Sequence, residues 1–273
     1  MVRLLRNLGY EVMPFKATED TVVRHVPKTV PLTVTTTEVK GLAPTIDLAV
    51  RLRQRGYDVA PHLAARLVID AEHLTRIVEQ LRTGGVDRIF VIGGDAATPA
   101  GSYADAHRLL DELRRIGHHF RDIGIGGYPE GHAIIARSAI DEAVHAKSAH
   151  ATRIVTQICF DPGATTAWAA GLAAAGTALP VYAGLPGPVN RQKLIRITAS
   201  IGLGPSARFL HKQRGWWRFL VPGAYDPTRL LRGLAGAGDS ANSPIHGLHI
   251  FTFNELEGAE AWRQRLLARC GAA

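Results

Sequence analysis

The sequence predicts an α/β fold of the (β/α)8 class, a single TIM barrel in which residues 1–273 form one domain. Eight short β-rich runs alternate with longer amphipathic runs along the chain, and eight strands with intervening helices close such a barrel. A chain of 273 residues with 46% hydrophobic residues can bury one large core. A doubly wound open sheet would need fewer strands and a glycine fingerprint after the first, and that fingerprint is missing.

The strand candidates are short and largely apolar, as parallel strands buried on both faces tend to be. They are Tyr10 to Pro14, Leu32 to Thr36, Asp58 to His62, Arg88 to Ile92, Ile123 to Tyr128, Arg153 to Phe160, Pro180 to Ala183 and Leu248 to Phe253. Polar residues that follow the carboxyl ends of these strands stand where a parallel α/β fold binds its ligands.

The helix candidates have apolar residues at intervals of three and four, often followed by glycine. They are Pro44 to Arg55, Ala71 to Thr83, Tyr103 to Ile116, Ala136 to Ala149, Thr165 to Ala175, Arg191 to Ile201 and Glu257 to Arg269. The segment 203–246 is longer than a barrel needs. It is predicted as an irregular insertion before the last strand, and Gly233 to Pro244 is interpreted as a loop.

Charge and cysteine content narrow the classes of partner. The net charge of +8 would suit nucleic acid, but the basic residues are dispersed through helical segments. We therefore expect a solvated basic surface that attracts phosphates, and no nucleic-acid binding. Apolar runs stop short of membrane length and no signal peptide is recognisable, so we expect a cytoplasmic protein with no membrane partner. Cys159 and Cys270 lack Cys or His neighbours at metal-ligand spacing, and no metal site is predicted.

The most informative stretch runs from Ile123 to His132. It begins as a buried strand of apolar and glycine residues, and Pro129 ends the ladder. Tyr128, Glu130 and His132 then follow within five residues, with glycines that let backbone approach a flat ligand closely.

Seven short motifs, in order along the chain, resemble those of the methylenetetrahydrofolate reductase family. They are Tyr10 to Lys16, Val34-Thr35, Pro61-His62-Leu63, Gly94-Asp95, Tyr128 to His132, Thr156 to Asp161, and Leu248 to Asn254. The resemblance covers most of the chain, but the segment 203–246 matches poorly.

The resemblance implies an oxidoreductase that interconverts 5,10-methylenetetrahydrofolate and 5-methyltetrahydrofolate. NADH or NADPH would be the co-substrate and bound FAD the hydride carrier, with a small-molecule folate as substrate. The residues leave open the choice of nicotinamide, the physiological direction, and a homo-oligomer.

The resemblance assigns catalysis to Glu11 and Asp95. Glu11 follows Tyr10 inside an apolar strand, where a carboxylate needs a partner or a task. Desolvation favours the protonated form of a carboxyl group, which suits Glu11 to general acid work. The alternative is a structural pairing with a barrel lysine. Asp95, which the resemblance places beside flavin and pterin, could instead be the N-cap of the following helix.

The resemblance supplies the remaining site residues by position. Those implied to bind cofactor are Thr35, His62, Gly94, Asp95, Ala104, Tyr128, His132, Asp141 and Lys147. Lys147 is implied to reach the pyrophosphate and Asp141 the ribose. Those implied to bind substrate are Gln157, Asn190 and Arg191.

The sequence departs from the family at four points. Gly93 stands where the family has a flavin-contacting arginine, Ser148 replaces one of a basic pair, Arg191 stands in place of a stacking aromatic, and Glu255 replaces an arginine. These departures motivate two alternatives. One is a flavin-independent reductase with direct hydride transfer from NAD(P)H, and the other is a non-catalytic folate-binding barrel.

Overall fold

The structure, a computed structural model, describes residues 1–132, 135–190, 192–194, 224–237 and 243–271. Its main strands are β1 (Leu8–Val12), β2 (Leu32–Val34), β3 (Val59–Ala64), β4 (Arg88–Ile92), β5 (Asp122–Gly127), β6 (Arg153–Ile158), β7 (Val181–Pro186) and β10 (Ile245–Phe251). Two-residue strands β8 (Val189–Asn190) and β9 (Ala224–Tyr225) form a separate antiparallel ladder.

The eight longer strands form a closed barrel in the order β1-β10-β7-β6-β5-β4-β3-β2. Their pairing is parallel, with register such as Tyr10 opposite Leu32 and His62 opposite Phe90. This confirms the predicted (β/α)8 TIM-barrel class. All eight predicted strands are present, with ends that move by up to three residues.

The helices are α1 (Val2–Arg6), α2 (Thr18–His25), α3 (Ala43–Gln54), α4 (Ala71–Thr83), α5 (Ala106–Ile116), α6 (Arg137–Ser148), α7 (Pro162–Ala174), α8 (Thr228–Ala237) and α9 (Leu256–Arg269). The predicted bounds of α4 are correct, because Asp70 accepts a hydrogen bond from His73 at its start and Gly85 adopts φ +72° after its end. No helix in the described part of the chain is long and apolar enough to cross a membrane.

The chain divides into two compact units. Unit 1 comprises Met1–Leu8, Gly127–Glu142 and Val155–Ala273, and unit 2 comprises Gly9–Gly126 and Ala143–Ile154. The single-domain organisation predicted from sequence therefore stays a prediction, and the side chains of each unit are described separately below.

The segment 203–246 contains more regular structure than predicted. Its described residues include β9 and α8, so the interpretation of Gly233 to Pro244 as a loop is wrong over the part that α8 occupies. Glycine at 233 has a packing reason, since a Cβ there would lie 2.6 Å from Cγ of Pro162 on α7. The predicted helix Arg191 to Ile201 lies outside the described residues except for 192–194, which are helical.

In unit 2, charged side chains at the amino-terminal ends of the strands form a compensated network. Arg88, only 6% exposed, contacts both Asp58 and Asp122, and Arg153 Nη1 lies 3.1 Å from Asp122 Oδ2. Burial raises the pKa of the Asp122 carboxyl, but the charges of Arg153 and Arg88 and a hydrogen bond from Thr152 outweigh it, and the net pKa is lowered. This end of the barrel is built for stability.

Candidate active site

Glu11 and His62, both in unit 2, face each other on the inner side of its strands. Glu11 lies on β1 and His62 within β3, and His62 Nε2 is 3.6 Å from Glu11 Oε2 although β2 separates the two strands. A contact across an intervening strand is made on the concave face, so both side chains point inward. The Glu11 side chain is 15% exposed and the His62 side chain 5%. Whereas the sequence interpretation placed His62 at the end of its strand, β3 continues to Ala64.

Thr33 lies beside Glu11 and was missed by the sequence analysis. It is the register partner of Glu11 on β2, so the two side chains lie on the same face. Its Oγ1 is buried and, within the described residues, has no hydrogen-bond partner. The signal was present in the sequence, because Thr33 is two residues before Thr35 in a strand and therefore shares its face.

The loop after β4 carries Gly94 and Asp95. Gly94 adopts φ +90°, and a Cβ there would lie 3.0 Å from the Cβ of Ala64, so glycine is required. Asp95 is exposed. The N-cap alternative for Asp95 is wrong, since α5 begins at Ala106 and its cap is Asp105, which accepts from the backbone N–H of Arg108.

Arg66 fastens this loop to the turn after β3. Its Nη1 donates to the carbonyl oxygens of Ala96 at 3.0 Å and Ala97 at 3.2 Å, and its backbone N–H donates to Gly93 O. A guanidinium is thus in contact with the loop in which Gly93 replaces the family's arginine. Arg66 precedes this loop by a whole helix in sequence, and no local pattern indicates the contact.

Lys147 is a buried cation near the carboxyl end of β5. Its residue exposure is 9%, and its Nζ donates to the carbonyl oxygen of Gly126 at 3.4 Å. No carboxylate oxygen of the described residues lies within ion-pairing distance. Burial lowers the pKa of the Lys147 ammonium, and the more distant charge of Asp105 opposes that shift only in part. A buried charge without an opposite charge marks a candidate functional site.

Thr35 and Ala104 complete the predicted residues of unit 2. Thr35 follows the last residue of β2, where the prediction had placed it within the strand, and its carbonyl accepts a hydrogen bond from Thr45 at the start of α3. Ala104 is exposed and follows Tyr103, which is buried. Among the described contacts, the side chains of Thr35 and Ala104 reach neither Lys147 nor Glu11.

In unit 1, Tyr128 and His132 form an edge-to-face pair after β5, with ring centroids 5.4 Å apart. Glu130 between them has a positioning role that the sequence analysis had left unassigned. Its Oε1 accepts from the backbone N–H groups of Phe160 at 2.5 Å and Asp161 at 2.7 Å, just beyond β6. The two carboxyl-end loops are therefore tied together.

The remaining predicted residues of unit 1 do not gather around one point. Asp141 is exposed on α6, with Oδ2 3.4 Å from Arg137 Nε. Gln157 is half-buried near the end of β6, and its Oε1 accepts from the N–H of Ile158. Asn190 is exposed, and its Oδ1 accepts from the N–H groups of Gln192 and Lys193. Arg191 lies outside the described residues.

The corner after β10 contains strained backbone. Phe253 has φ +51° and Asn254 has φ +63°, a left-handed conformation that is unusual for two consecutive residues other than glycine. Lys193 Nζ reaches the carbonyl of Phe253 at 3.2 Å and Glu255 Oε1 at 2.5 Å. Glu255, a departure from the family pattern, is thus paired with a lysine from the neighbouring segment.

Fold and site together describe a TIM barrel with polar and ionisable side chains near the carboxyl ends of its strands, the arrangement of an enzyme of this class. The profile of the methylenetetrahydrofolate reductase family matches residues 15–203. The chain belongs to that family, and membership supports a folate-related oxidoreductase.

One solved structure is similar to this chain over most of its length. It is the dihydropteroate synthase from Thermus thermophilus, with a TM-score of 0.47 and 13% sequence identity over 96% of this chain and 93% of that one. The fold assignment does not depend on this similarity, because it follows from the strand order.

Proposed function

We propose that the protein interconverts 5,10-methylenetetrahydrofolate and 5-methyltetrahydrofolate, with NADH or NADPH as co-substrate and FAD as the bound cofactor. In the reductive direction one hydride from the nicotinamide and one proton are added, and the carbon–nitrogen bond that closes the methylene bridge is broken. The family membership supports the substrate class. Lys147 and Glu11 in unit 2 support the binding of a cofactor phosphate and the transfer of a proton.

The observation that carries the proposal is the buried, uncompensated charge of Lys147. An ammonium group removed from water without a carboxylate partner destabilises the folded protein unless an anion is bound nearby. The FAD pyrophosphate is such an anion, and the family resemblance assigns it to this lysine. Lys147 would hold the pyrophosphate, while Thr35, His62 and Ala104 would contact the rest of the cofactor.

A bound flavin would supply the hydride acceptor for the nicotinamide and the hydride donor for the folate. The protein's own contribution to the folate step is a proton. Glu11 is enclosed enough for its carboxyl to donate to a substrate nitrogen without competition from bulk water, and His62 at 3.6 Å orients it. The resemblance assigns Asp95 to the flavin and pterin. Arg66 donates hydrogen bonds to the carbonyl oxygens of Ala96 and Ala97 and thereby fixes the backbone next to Asp95.

The residues of unit 1 stay predictions by resemblance. Tyr128, His132 and Asp141 are assigned to the cofactor, and Gln157, Asn190 and Arg191 to the folate. Of these, Asn190 and Asp141 already use one oxygen in a local contact. The amide of Gln157 retains its NH2 group for a pterin or nicotinamide edge.

The absorption spectrum of the purified protein tests this proposal. We expect a flavin spectrum from at least a fraction of the molecules, an increase after incubation with FAD, and bleaching by NADH or NADPH under anaerobic conditions. Methylenetetrahydrofolate should then restore the oxidised spectrum.

Two other outcomes would each reject part of the proposal. A colourless protein that turns over methylenetetrahydrofolate and NAD(P)H without added FAD would establish the flavin-independent alternative. A protein that binds folate but catalyses no transfer in either direction would be a non-catalytic folate-binding barrel.

A further inference from the structure

Three side chains on the helical layer of unit 2 bring two imidazoles and a carboxylate together. His107 and Asp111 are one turn apart on α5, and His150 follows the end of α6. Asp111 Oδ1 lies 3.2 Å from His150 Nε2, and Asp111 Oδ2 lies 3.5 Å from His107 Nε2. Each residue offers one ligand atom such that all three atoms lie within 4.8 Å of one another.

These separations fit a common metal ion. In a tetrahedral site with bonds of about 2.1 Å, neighbouring ligand atoms are about 3.4 Å apart. Each imidazole Nε2 lies close to that distance from one oxygen of Asp111, but the two contacts use different oxygens. A rotation of the half-exposed carboxylate is needed for both rings to share one oxygen, and the three ligand atoms already lie within 4.8 Å of one another. The helical spacing of His107 and Asp111 keeps both on one face, and His150 comes from a different element.

The burial and hydrogen bonding of the three side chains are compatible with a bound ion. The His150 side chain is 9% exposed, and His107 Nδ1 is buried with no hydrogen-bond partner among the described residues. Such a nitrogen is costly unless a water satisfies it or the ring turns to present it to the ion. The Asp111 side chain is 46% exposed, which gives access from solvent.

One neighbour opposes a cation. Arg114 Nη2 lies 3.7 Å from Asp111 Oδ1, although the Arg114 side chain is 74% exposed and can swing away. We therefore expect binding in the micromolar range rather than the tighter binding of a dedicated structural site.

We propose that His107, Asp111 and His150 bind a divalent transition-metal ion, Zn²⁺ foremost, and thereby link α5 to the segment after α6. Two imidazole nitrogens with one carboxylate favour Zn²⁺ or a neighbouring transition metal over Ca²⁺ or Mg²⁺, which prefer oxygen ligands. Water would occupy the fourth position. The sequence analysis predicted no metal site because it considered spacing around cysteine only; the spacing of His107 and Asp111 was the available signal.

Calorimetric titration of the chelator-treated protein with ZnCl2 tests the proposal. The measurement uses a Cys270→Ser background, because a partly exposed thiol also binds Zn²⁺. We expect one ion per chain. Asp111→Asn and His150→Gln should each weaken binding by at least about tenfold. His145→Ala, an exposed histidine on α6, is the matched control and should bind as the parent does.

Thermal unfolding of the parent protein gives a second measurement that does not depend on whether a variant folds. The parent melting temperature should rise with ZnCl2 concentration, as expected for a ligand of the native state, and the rise should vanish in Asp111→Asn. Arg114→Gln should bind Zn²⁺ more tightly than the parent. No stoichiometric binding to the parent at about 1 mM Zn²⁺, parent-like affinity in Asp111→Asn and His150→Gln, or weaker binding in Arg114→Gln would each overturn the proposal.

Discussion

Replacing Lys147 by methionine should make the protein without cofactor more stable and the binding of FAD weaker. Methionine has similar length and no charge, so the substitution removes a buried ammonium that no carboxylate of the described chain compensates. Removing a buried charge of this kind stabilises by about 1 kcal/mol or more, which is about 2 °C or more in Tm for a chain of this size.

The affinity change follows from the charge-assisted hydrogen bond that Lys147 would make to a phosphate. Such a bond contributes roughly 1.5–3 kcal/mol, so the Kd for FAD should rise by roughly 10- to 150-fold. Fluorescence quenching of the flavin on titration with apoprotein measures the Kd, and scanning calorimetry measures the Tm. Lys28→Met, the same change at an exposed lysine, is the control and should alter neither.

The pH dependence of stability adds an independent check. Burial lowers the pKa of Lys147 in the folded protein below the value near 10.4 of an unfolded chain. Between the two pKa values the unfolded chain holds a proton that the folded protein has lost, so stability rises with pH through that window. The stability advantage of Lys147→Met should therefore shrink as the pH approaches about 10. If the variant is less stable than the parent at neutral pH and binds FAD within about twofold, Lys147 is a structural residue.

Substitutions at three other positions separate effects on chemistry from effects on stability. Glu11→Gln should leave flavin reduction by NAD(P)H near the parent rate in stopped-flow experiments and slow flavin reoxidation by the folate by at least about 100-fold; the reverse pattern would assign Glu11 to the nicotinamide step. Asp95→Asn and Asp95→Ala should both melt like the parent, since Asp95 caps no helix, and lose about tenfold in folate turnover, or roughly 1.4 kcal/mol; parent-like turnover would remove Asp95 from the site. Asp122→Asn should lower the free energy of unfolding at pH 7 by about 3–5 kcal/mol, because the guanidinium groups of Arg88 and Arg153 each lose a buried carboxylate, and should leave FAD affinity unchanged. The lowered pKa of Asp122 gives the parent a stabilisation that is present above about pH 4 and is lost as the pH falls through the folded pKa. The variant should not lose this stabilisation at low pH. Urea denaturation at several pH values measures the free energy of unfolding, and an equal loss in parent and variant would contradict the prediction.

The fold could be predicted because the patterns that specify it are local. Alternation of apolar runs with helical periodicity identified every strand of the barrel, and the apolar period with the glycines that follow it predicted the bounds of α4 correctly. The helices that were missed include α2 and α8. The charges of α2 favour a helix, since Glu19 and Asp20 lie in its first turn, but the helix has only 8 residues and gives a short periodic pattern. α8 contains Gly233 and Gly236, whose composition indicates a loop. Only packing against α7 explains a helix there.

The site could be predicted only in part, because burial and pairing are tertiary properties. Resemblance assigned Glu11 and Lys147 to the site, and that assignment stays a prediction. Nothing in the sequence says that His62 faces Glu11 across β2 or that Lys147 is buried. The N-cap alternative for Asp95 failed for a related reason. Asp95 and Asp105 both lie between β4 and α5. Asp105 is the N-cap because the loop is long and α5 begins only at Ala106.

In unit 2, ion pairing differs between the amino-terminal and the carboxyl-terminal ends of the strands. At the amino-terminal ends of β4, β5 and β6, Arg88, Asp122 and Arg153 each meet an opposite charge. Toward the carboxyl ends, Asp95 has no opposite charge within ion-pairing distance among the described residues, and Lys147 has only a carbonyl oxygen. Burial alone would favour an ion pair for Lys147, since an unpaired charge is costlier inside the protein than at the surface. The lack of one is expected where a ligand brings the missing charge, and in a barrel of this class ligands bind at the carboxyl ends of the strands.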